Sequence, residues 1–323
     1  MKDLPDPKII VNESFKDIEL MARVVGWDLD FRQIDHGAQS ARAILFGHPL
    51  VAVLRVEFNR SFHQIGIPPA GVLTFGLPDK ESGVLRWSGV ETPPGVLINF
   101  NYEKMLDCVS PSPFGGFVIS FHEDVLRGAA EKLDHGPQLI DSIKTQRFWT
   151  PNDYDCDQLR QNLFALKKVT TDDGDQGLTL WKEVFNADLA ELVVRIVSKE
   201  SSVPQLTAPA FRAAALNRAV GILGDYNQFP INIEALCTMV GASWATLQRA
   251  FAEEFGVTPS SYIKSRRLAA VQSELVKNAP DVVISDVANR WGFWHMGSFA
   301  ADYRRQFAEL PSETLRRLKT RKE

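Results

Sequence analysis

The last third of this 323-residue chain repeats itself. One copy places Leu236-Cys237 ahead of Gly241, then Phe251, Phe255-Gly256 and Pro259. The other places Val287-Ala288 ahead of Gly292, then Tyr303, Phe307-Ala308 and Pro311. From each glycine onward the steps are ten, four and four in the first copy and eleven, four and four in the second. Steps of four return a side chain to the same face of a helix, and a glycine between two such runs permits the positive φ of a sharp turn. Each copy therefore predicts two short helices joined at a glycine.

The first copy carries the clearer chemistry. Ile233, Leu236 and Val240 form an apolar face before the turn, and Ser243 is placed to cap the next helix by accepting from an orphan N–H. That helix would bury Leu247, Ala250, Phe251 and Phe255, leaving Trp244, Ala245, Thr246, Gln248 and Arg249 on its other face. A helix-turn-helix whose second helix opens with polar, amide and guanidinium groups suits a DNA major groove. A glutamine amide matches the edge of adenine, and an arginine matches guanine or a phosphate. One such pattern is equally a plain helical hairpin; the matched second copy favours the groove-binding reading.

The segment between the copies, Ser260 to Lys277, has a helical stripe in Tyr262, Leu268, Ala269, Val271, Gln272 and Leu275. About 16 residues at ~1.5 Å each span ~25 Å. With the widths of the flanking units added, two recognition helices ~34 Å apart become feasible, one turn of B-DNA. Arg266 and Arg267 lie on or beside this helix and are read as phosphate, ion-pair or base contacts.

Charge follows the same division. Residues 207–323 hold 15 Lys and Arg against 11 Asp and Glu, a net of +4; residues 1–206 hold 21 against 29, a net of -8. A basic end on an acidic body fits a nucleic-acid-binding domain joined to a non-binding one. Three distant cysteines, Cys108, Cys156 and Cys237, predict neither a disulfide framework nor a zinc site. With neither a membrane-length apolar run nor a signal-peptide pattern at Met1 to Pro7, a cytoplasmic location is expected.

Upstream, residues from about 18 to 125 read as β-rich. Short apolar runs (Ala43 to Phe46, Leu50 to Val56, Val72 to Phe75, Val96 to Phe100, Phe117 to Phe121) alternate with turn signals such as Gly47-His48-Pro49, Pro68-Pro69-Ala70-Gly71 and Ser110 to Pro113. Gly115-Gly116 is read as a hairpin. Residues 123–198 turn helical, with Leu159, Leu163 and Leu166 on one face and Trp181, Phe185, Leu189, Leu192 and Ile196 on another. A polar turn at 170–175 would join them into an αα-hairpin, serving core packing or a dimer contact. A linker is expected near Ser201 to Pro204, after which Phe211, Ala215, Arg218, Ala219 and Ile222 open the helical domain.

The C-terminal motifs resemble the AraC/XylS family of bacterial regulators over about residues 210–318. They are Gly241-Ala242-Ser243, Leu247 to Phe251, Phe255 to Pro259, Tyr262-Ile263, Arg267-Leu268, Trp291-Gly292-Phe293, Phe299, Tyr303-Arg304-Arg305 and Pro311. The segment Trp291 to Gly297 is similar to a subgroup containing ethanolamine-operon regulators. The resemblance implies a two-unit DNA-binding domain fused to an effector or dimerisation domain. By position, Ser243, Trp244, Ala245, Thr246, Gln248 and Arg249 would serve one groove, and His295, Met296, Ser298 and Ala300 the other, with Arg304 and Arg305 on phosphates. The second copy departs from the family pattern at Ala301, where members often carry arginine, and at Ala308, where glycine is usual.

The fold expected is α+β: a β-rich, cupin- or jelly-roll-like sensory domain (1–150), a helical connector with a dimerisation role (151–204) and an all-α double helix-turn-helix domain (205–323). The expected function is that of a sequence-specific transcription regulator, of the activator kind. Its expected partners are double-stranded DNA, RNA polymerase, a second copy of the chain and a small-molecule effector. The alternatives are control by a protein partner, or a cupin-type enzyme fused to a DNA-binding domain. Against the enzyme, His36, His48, His63, His122 and His135 form no closely spaced pair, and no catalytic motif or phosphate-binding loop occurs. No cofactor, metal or catalytic residue is expected. Trp87, Phe58, Phe75, Phe100 and Phe121 are candidates for a pocket lining or for core.

Overall fold

The computed structural model describes residues 7–92, 95–101, 105–149, 154–172, 185, 189–199, 210–224, 231–278 and 282–319. The chain divides into two compact units. The first takes Met1–Asp30, Ser40–Asn59 and Gln64–Gln205; the second takes Phe31–Gln39, Arg60–His63 and Leu206–Glu323.

The β-rich part runs β1 (Lys8–Phe15), α1 (Ile18–Val24), β2 (Asp28–Gln33), β3 (Ala41–His48), β4 (Val51–Phe58), β5 (Phe62–Ile67), β6 (Val72–Pro78), β7 (Leu85–Trp87), β8 (Val90–Thr92), β9 (Leu97–Asn99), β10 (Leu106–Ser110) and β11 (Phe114–His122). There follow α2 (Glu123–Lys132), α3 (Gln138–Ile143), β12 (Phe148–Trp149), α4 (Tyr154–Asp172) and α5 (Leu189–Val197). One sheet has the order β1-β3-β4-β11-β6-β9-β12 and the other β2-β5-β10-β7-β8. Alternation along β11 shows why the larger sheet is buried on both faces. Phe117, Ile119 and Phe121 join a core with Phe46, Phe75, Leu126 and Val193, which the helices cover. Val118 points the other way, against Trp87, Ile98 and Leu106.

Several expectations change here. The β-region opens earlier than residue 18, at Lys8, and includes a helix at Ile18–Val24, capped by Asp17, which accepts from the Leu20 N–H at 3.2 Å. Gly115-Gly116 is no hairpin: both residues lie within β11, paired with Glu57 and Val56 of β4. The reason is local. A Cβ on Gly115 would stand 2.5 Å from Asp79 Oδ2 and 2.7 Å from an Arg55 nitrogen. The glycine leaves room for Arg55, which is buried, grips both Asp79 oxygens at 2.6 Å and lies over the Phe117 ring.

The aromatic set does not line one pocket. Trp87 and Phe100 meet at 4.5 Å in one core, Phe75 and Phe121 belong to the other, and Phe58 stacks on Phe114. The helical stretch packs on the β-core, with Leu159, Leu163, Phe185, Leu189 and Ile196 buried there. Helix α4 continues through Asp172, beyond the start expected for the polar turn. Trp181 and the linker near 201–204 fall outside the described residues.

The second unit holds α6 (Ala210–Gly224), α7 (Ile233–Val240), α8 (Trp244–Phe255), α9 (Pro259–Asn278), α10 (Ile284–Arg290), α11 (Met296–Phe307) and α12 (Pro311–Lys319). Helix α6 packs on α7 and α8, while α9 touches α8 and then α10, α11 and α12. The connector helix α9 is 20 residues long, about 30 Å at 1.5 Å per residue. Residues 31–39 and 60–63 complete this unit. Buried Gln306 of α11 donates to the carbonyls of Gln33 and Asp35 at 3.2 and 3.0 Å. Its own side-chain oxygen accepts from His36 Nδ1 at 3.0 Å and Ser265 Oγ at 3.3 Å. The Tyr262 hydroxyl accepts from Arg32 at 3.3 Å and is hydrogen-bonded to His63 Nδ1 at 2.6 Å.

Candidate nucleic-acid interface

The first helix-turn-helix is built as its sequence requires. Asn232 caps α7, accepting from the Ala235 N–H at 2.8 Å, and Gly241 ends it at φ 68°. Ser243 caps α8, accepting from the Thr246 N–H at 3.2 Å. The inward face of α8 is Leu247, Ala250, Phe251 and Phe255. Phe251 and Phe255 meet Tyr262 of α9 at 5.2 and 4.5 Å between ring centres. With those groups fixed inside, Trp244, Ala245, Gln248 and Arg249 are left exposed on the outer face. Thr246 is half-buried, with its hydroxyl 2.9 Å from Ser243 Oγ, so it strengthens the cap as well as edging that face. Gln248 and Arg249 make no side-chain hydrogen bond or ion pair among the described residues, which leaves their donors available to a partner.

The second unit repeats the frame with different contents. Helix α10 ends at Trp291, and Gly292 supplies the positive φ of 79°. The chain turns back through a Phe293 N–H to Ala288 carbonyl bond of 2.9 Å. His295 occupies the cap position of α11 but makes no capping bond. Phe299, Tyr303 and Phe307 pack against Leu268, Val271 and Leu275 of α9. Burial raises the Tyr303 phenol above its ordinary value, and its hydroxyl lies 2.9 Å from Thr314 Oγ1.

Aligning the two caps, Ser243 with His295, sets Ala245, Thr246, Gln248 and Arg249 against Gly297, Ser298, Ala300 and Ala301. With one extra residue in the second turn, this alignment keeps Ser298 and Ala300 of the expected set and puts Gly297 and Ala301 in place of His295 and Met296. Met296 packs partly into the core, and Ala300 is half-buried. Gly297, Ser298 and Ala301 are the exposed members. Arg304 and Arg305 are exposed in the later turns of α11, with Arg305 loosely paired to Asp302 at 3.4 Å.

Two expected phosphate or base contacts turn inward. Arg266 is buried and donates to the Leu223 carbonyl. Arg267 donates to the Ile231 carbonyl at 2.7 Å, and burial holds its guanidinium below the ordinary value. Both tie α9 to the end of α6 and the chain entering α7. Arg218, from α6, similarly satisfies the Val240 carbonyl at the end of α7 at 3.0 Å. Sequence reading missed this last contact. Its signal is a basic side chain held against a helix C-terminus, which only the packing of α6 on α7 discloses.

A protein-family model described as a helix-turn-helix domain matches residues 236–317. The chain is 27% identical over 232 residues to the XylDLEGF operon transcriptional activator 3 of Pseudomonas putida, covering 70% of this chain and 66% of that one. It is 34% identical over 99 residues to a probable thc operon regulatory protein of Rhodococcus erythropolis, covering 30% of each. Less than two thirds of either relative is thus spanned. Among solved structures, a probable AraC family transcriptional regulator from Rhodopseudomonas palustris is 33% identical, covering 32% of this chain and 96% of that one, with a TM-score of 0.30.

Over these helices the chain is similar to regulators of the AraC/XylS kind. The family signature coincides with α7 to α12, the elements that carry both turns. These comparisons give the narrower resemblance to ethanolamine-operon regulators no support.

Proposed function

We propose that this chain is a sequence-specific, double-stranded-DNA-binding transcription activator of the AraC/XylS kind, controlled through its β-rich unit by a small-molecule effector. The observation that carries the DNA reading is the outer face of α8. Gln248 and Arg249 are exposed and uncommitted there, beside Trp244, Ala245 and Thr246, on a helix capped by Ser243 and anchored by three buried aromatic rings. Exposed Arg304 and Arg305 supply charge for phosphates beside the second turn. The relatives named as operon activators support the activator sense.

In this reading the chain works as a cytoplasmic homodimer that engages RNA polymerase, with a dimer contact in the helical segment 151–204. No enzymatic step belongs to it. Among the described residues no group of three His, Cys, Asp or Glu side chains is arranged to hold a metal ion. No described helix is long and apolar enough to cross a membrane.

The test is competition binding with the purified full chain at a stated, moderate salt concentration, because phosphate neutralisation makes affinity fall steeply with salt. Fragments from upstream of its own locus should outcompete random DNA by on the order of 10³-fold or more. Equal affinity for both would end the proposal. A thermal-shift screen of small molecules addresses the effector, since a ligand of the native state raises the melting point.

A further inference from the structure

Two features of the second turn have no packing partner among the described residues. Trp294 stands 69% exposed immediately before the cap of α11, the most exposed tryptophan among the described residues, and its ring makes no aromatic contact there. Gly297, in the first turn of the same helix, is exposed, and a Cβ built on it meets nothing within 4 Å. Its backbone is not left-handed. Neither packing nor turn geometry asks for glycine at that point, and glycine weakens a helix relative to alanine. Ala301 continues the small exposed surface at the position that Arg249 fills in the first unit.

A large apolar ring beside a smooth helix start suits a partner that must come close and that is apolar where it touches. Gly297 and Ala301 occupy the places on their unit that Ala245 and Arg249 hold on the outer face of α8, Trp294 stands in the turn just before them, and exposed Arg304 and Arg305 lie further along the same helix. A negatively charged partner with apolar groups at the floor of its groove meets both demands. In the major groove those groups are the C5 methyls of thymine.

We infer that the second helix-turn-helix reads thymines through their methyl groups, with Trp294 and Ala301 as the contacting side chains and Gly297 allowing the close approach. The two units then divide the work. The first reads base edges by hydrogen bonds through Gln248 and Arg249, and the second reads methyls by exclusion of water. This rests on the DNA-binding function proposed above.

The experiment selects bound duplexes from a random library with the full chain and locates the protected grooves. Each thymine in the half-site away from the one whose preference changes in Arg249→Ala is then replaced by deoxyuridine, which removes only the methyl. Loss of one buried methyl should weaken binding by about fourfold. In Trp294→Ala the same replacement should have little further effect at the contacted position, whereas Trp294→Phe should keep most of the difference. An exposed Trp294 predicts that these variants stay folded, and circular dichroism checks it.

If duplexes are selected and the second half-site is protected but indifferent to deoxyuridine, the methyl reading is overturned while the DNA-binding function stands. Loss of transcriptional activation in Trp294→Ala with unchanged DNA affinity and unchanged deoxyuridine sensitivity would also overturn it, and would assign the ring to a protein partner. Failure to select any duplex overturns both the function and this inference.

Discussion

Ala308 ends α11 at φ 58°, the conformation that Gly256 holds at the end of α8 with φ 68°. A left-handed alanine costs ~1–2 kcal/mol, and glycine gives back ~0.4–1 kcal/mol through its freer unfolded chain. Ala308→Gly should therefore stabilise the helical unit by about 0.5–1 kcal/mol in denaturant unfolding, and Gly256→Ala should destabilise it by a similar amount. Roles at the interface separate at this scale too. Arg249→Ala or Gln248→Ala should cost ~1–3 kcal/mol of binding and relax sequence preference. Arg304→Ala should weaken all sequences about equally and lower the salt slope by about one. Equal, sequence-blind losses at all three would contradict these roles. In the other unit, burial holds the His48 imidazole below its ordinary value near 6.5; its ring meets Phe185 edge-on at 5.6 Å. The unfolded chain takes up the proton first. This contribution is thus full above pH ~6.5 and is lost as the pH falls from there through the folded-state value. Melting curves between pH 7.5 and 5.5 should show that loss, and His48→Gln should flatten it; an unchanged slope would remove His48 as the cause.

Helices and strands differ in how far their sequences disclosed them. The two turns were legible because caps, glycines and buried faces all lie within a dozen residues of one another. Ser243, Leu247, Phe251 and Phe255 fall where their spacing put them. The outward face of α11 was not, because one extra residue in the turn moves the cap to His295 and rotates Met296 toward the core. Arg266 and Arg267 misled for a related reason. A basic pair near a DNA-binding motif reads as a phosphate clamp, yet the carbonyls it satisfies come from residues 223 and 231, supplied by a neighbouring helix and the chain beyond it. In β11, Gly115-Gly116 carried a turn signal, and only the cross-strand Arg55–Asp79 pair explains the glycine. Arg55 is buried and Asp79 half-buried, and two hydrogen bonds hold them together, so Gly115→Ala should destabilise the β-rich unit by about 1–3 kcal/mol, as overpacking does. Wild-type stability in this variant would mean that Arg55 moves aside freely.

The whole molecule joins a two-sheet unit to a helical unit in which one 20-residue helix links two helix-turn-helix frames. In the function proposed above, both frames of a single chain engage DNA, each in its own major groove. A helix of about 30 Å plus the flanking widths matches the ~34 Å between successive grooves on one face of B-DNA. The first frame carries hydrogen-bonding side chains outward and the second carries Trp294, Gly297 and Ala301, so their contributions to affinity should differ in kind while their footprints are alike. The most direct measurement is a guanine-methylation and hydroxyl-radical footprint of the full chain on its best selected duplex. The expected result is protection of two successive major grooves on one face of the DNA for each bound chain. Protection of a single groove per chain would contradict it and reduce the second frame to a structural support for α9.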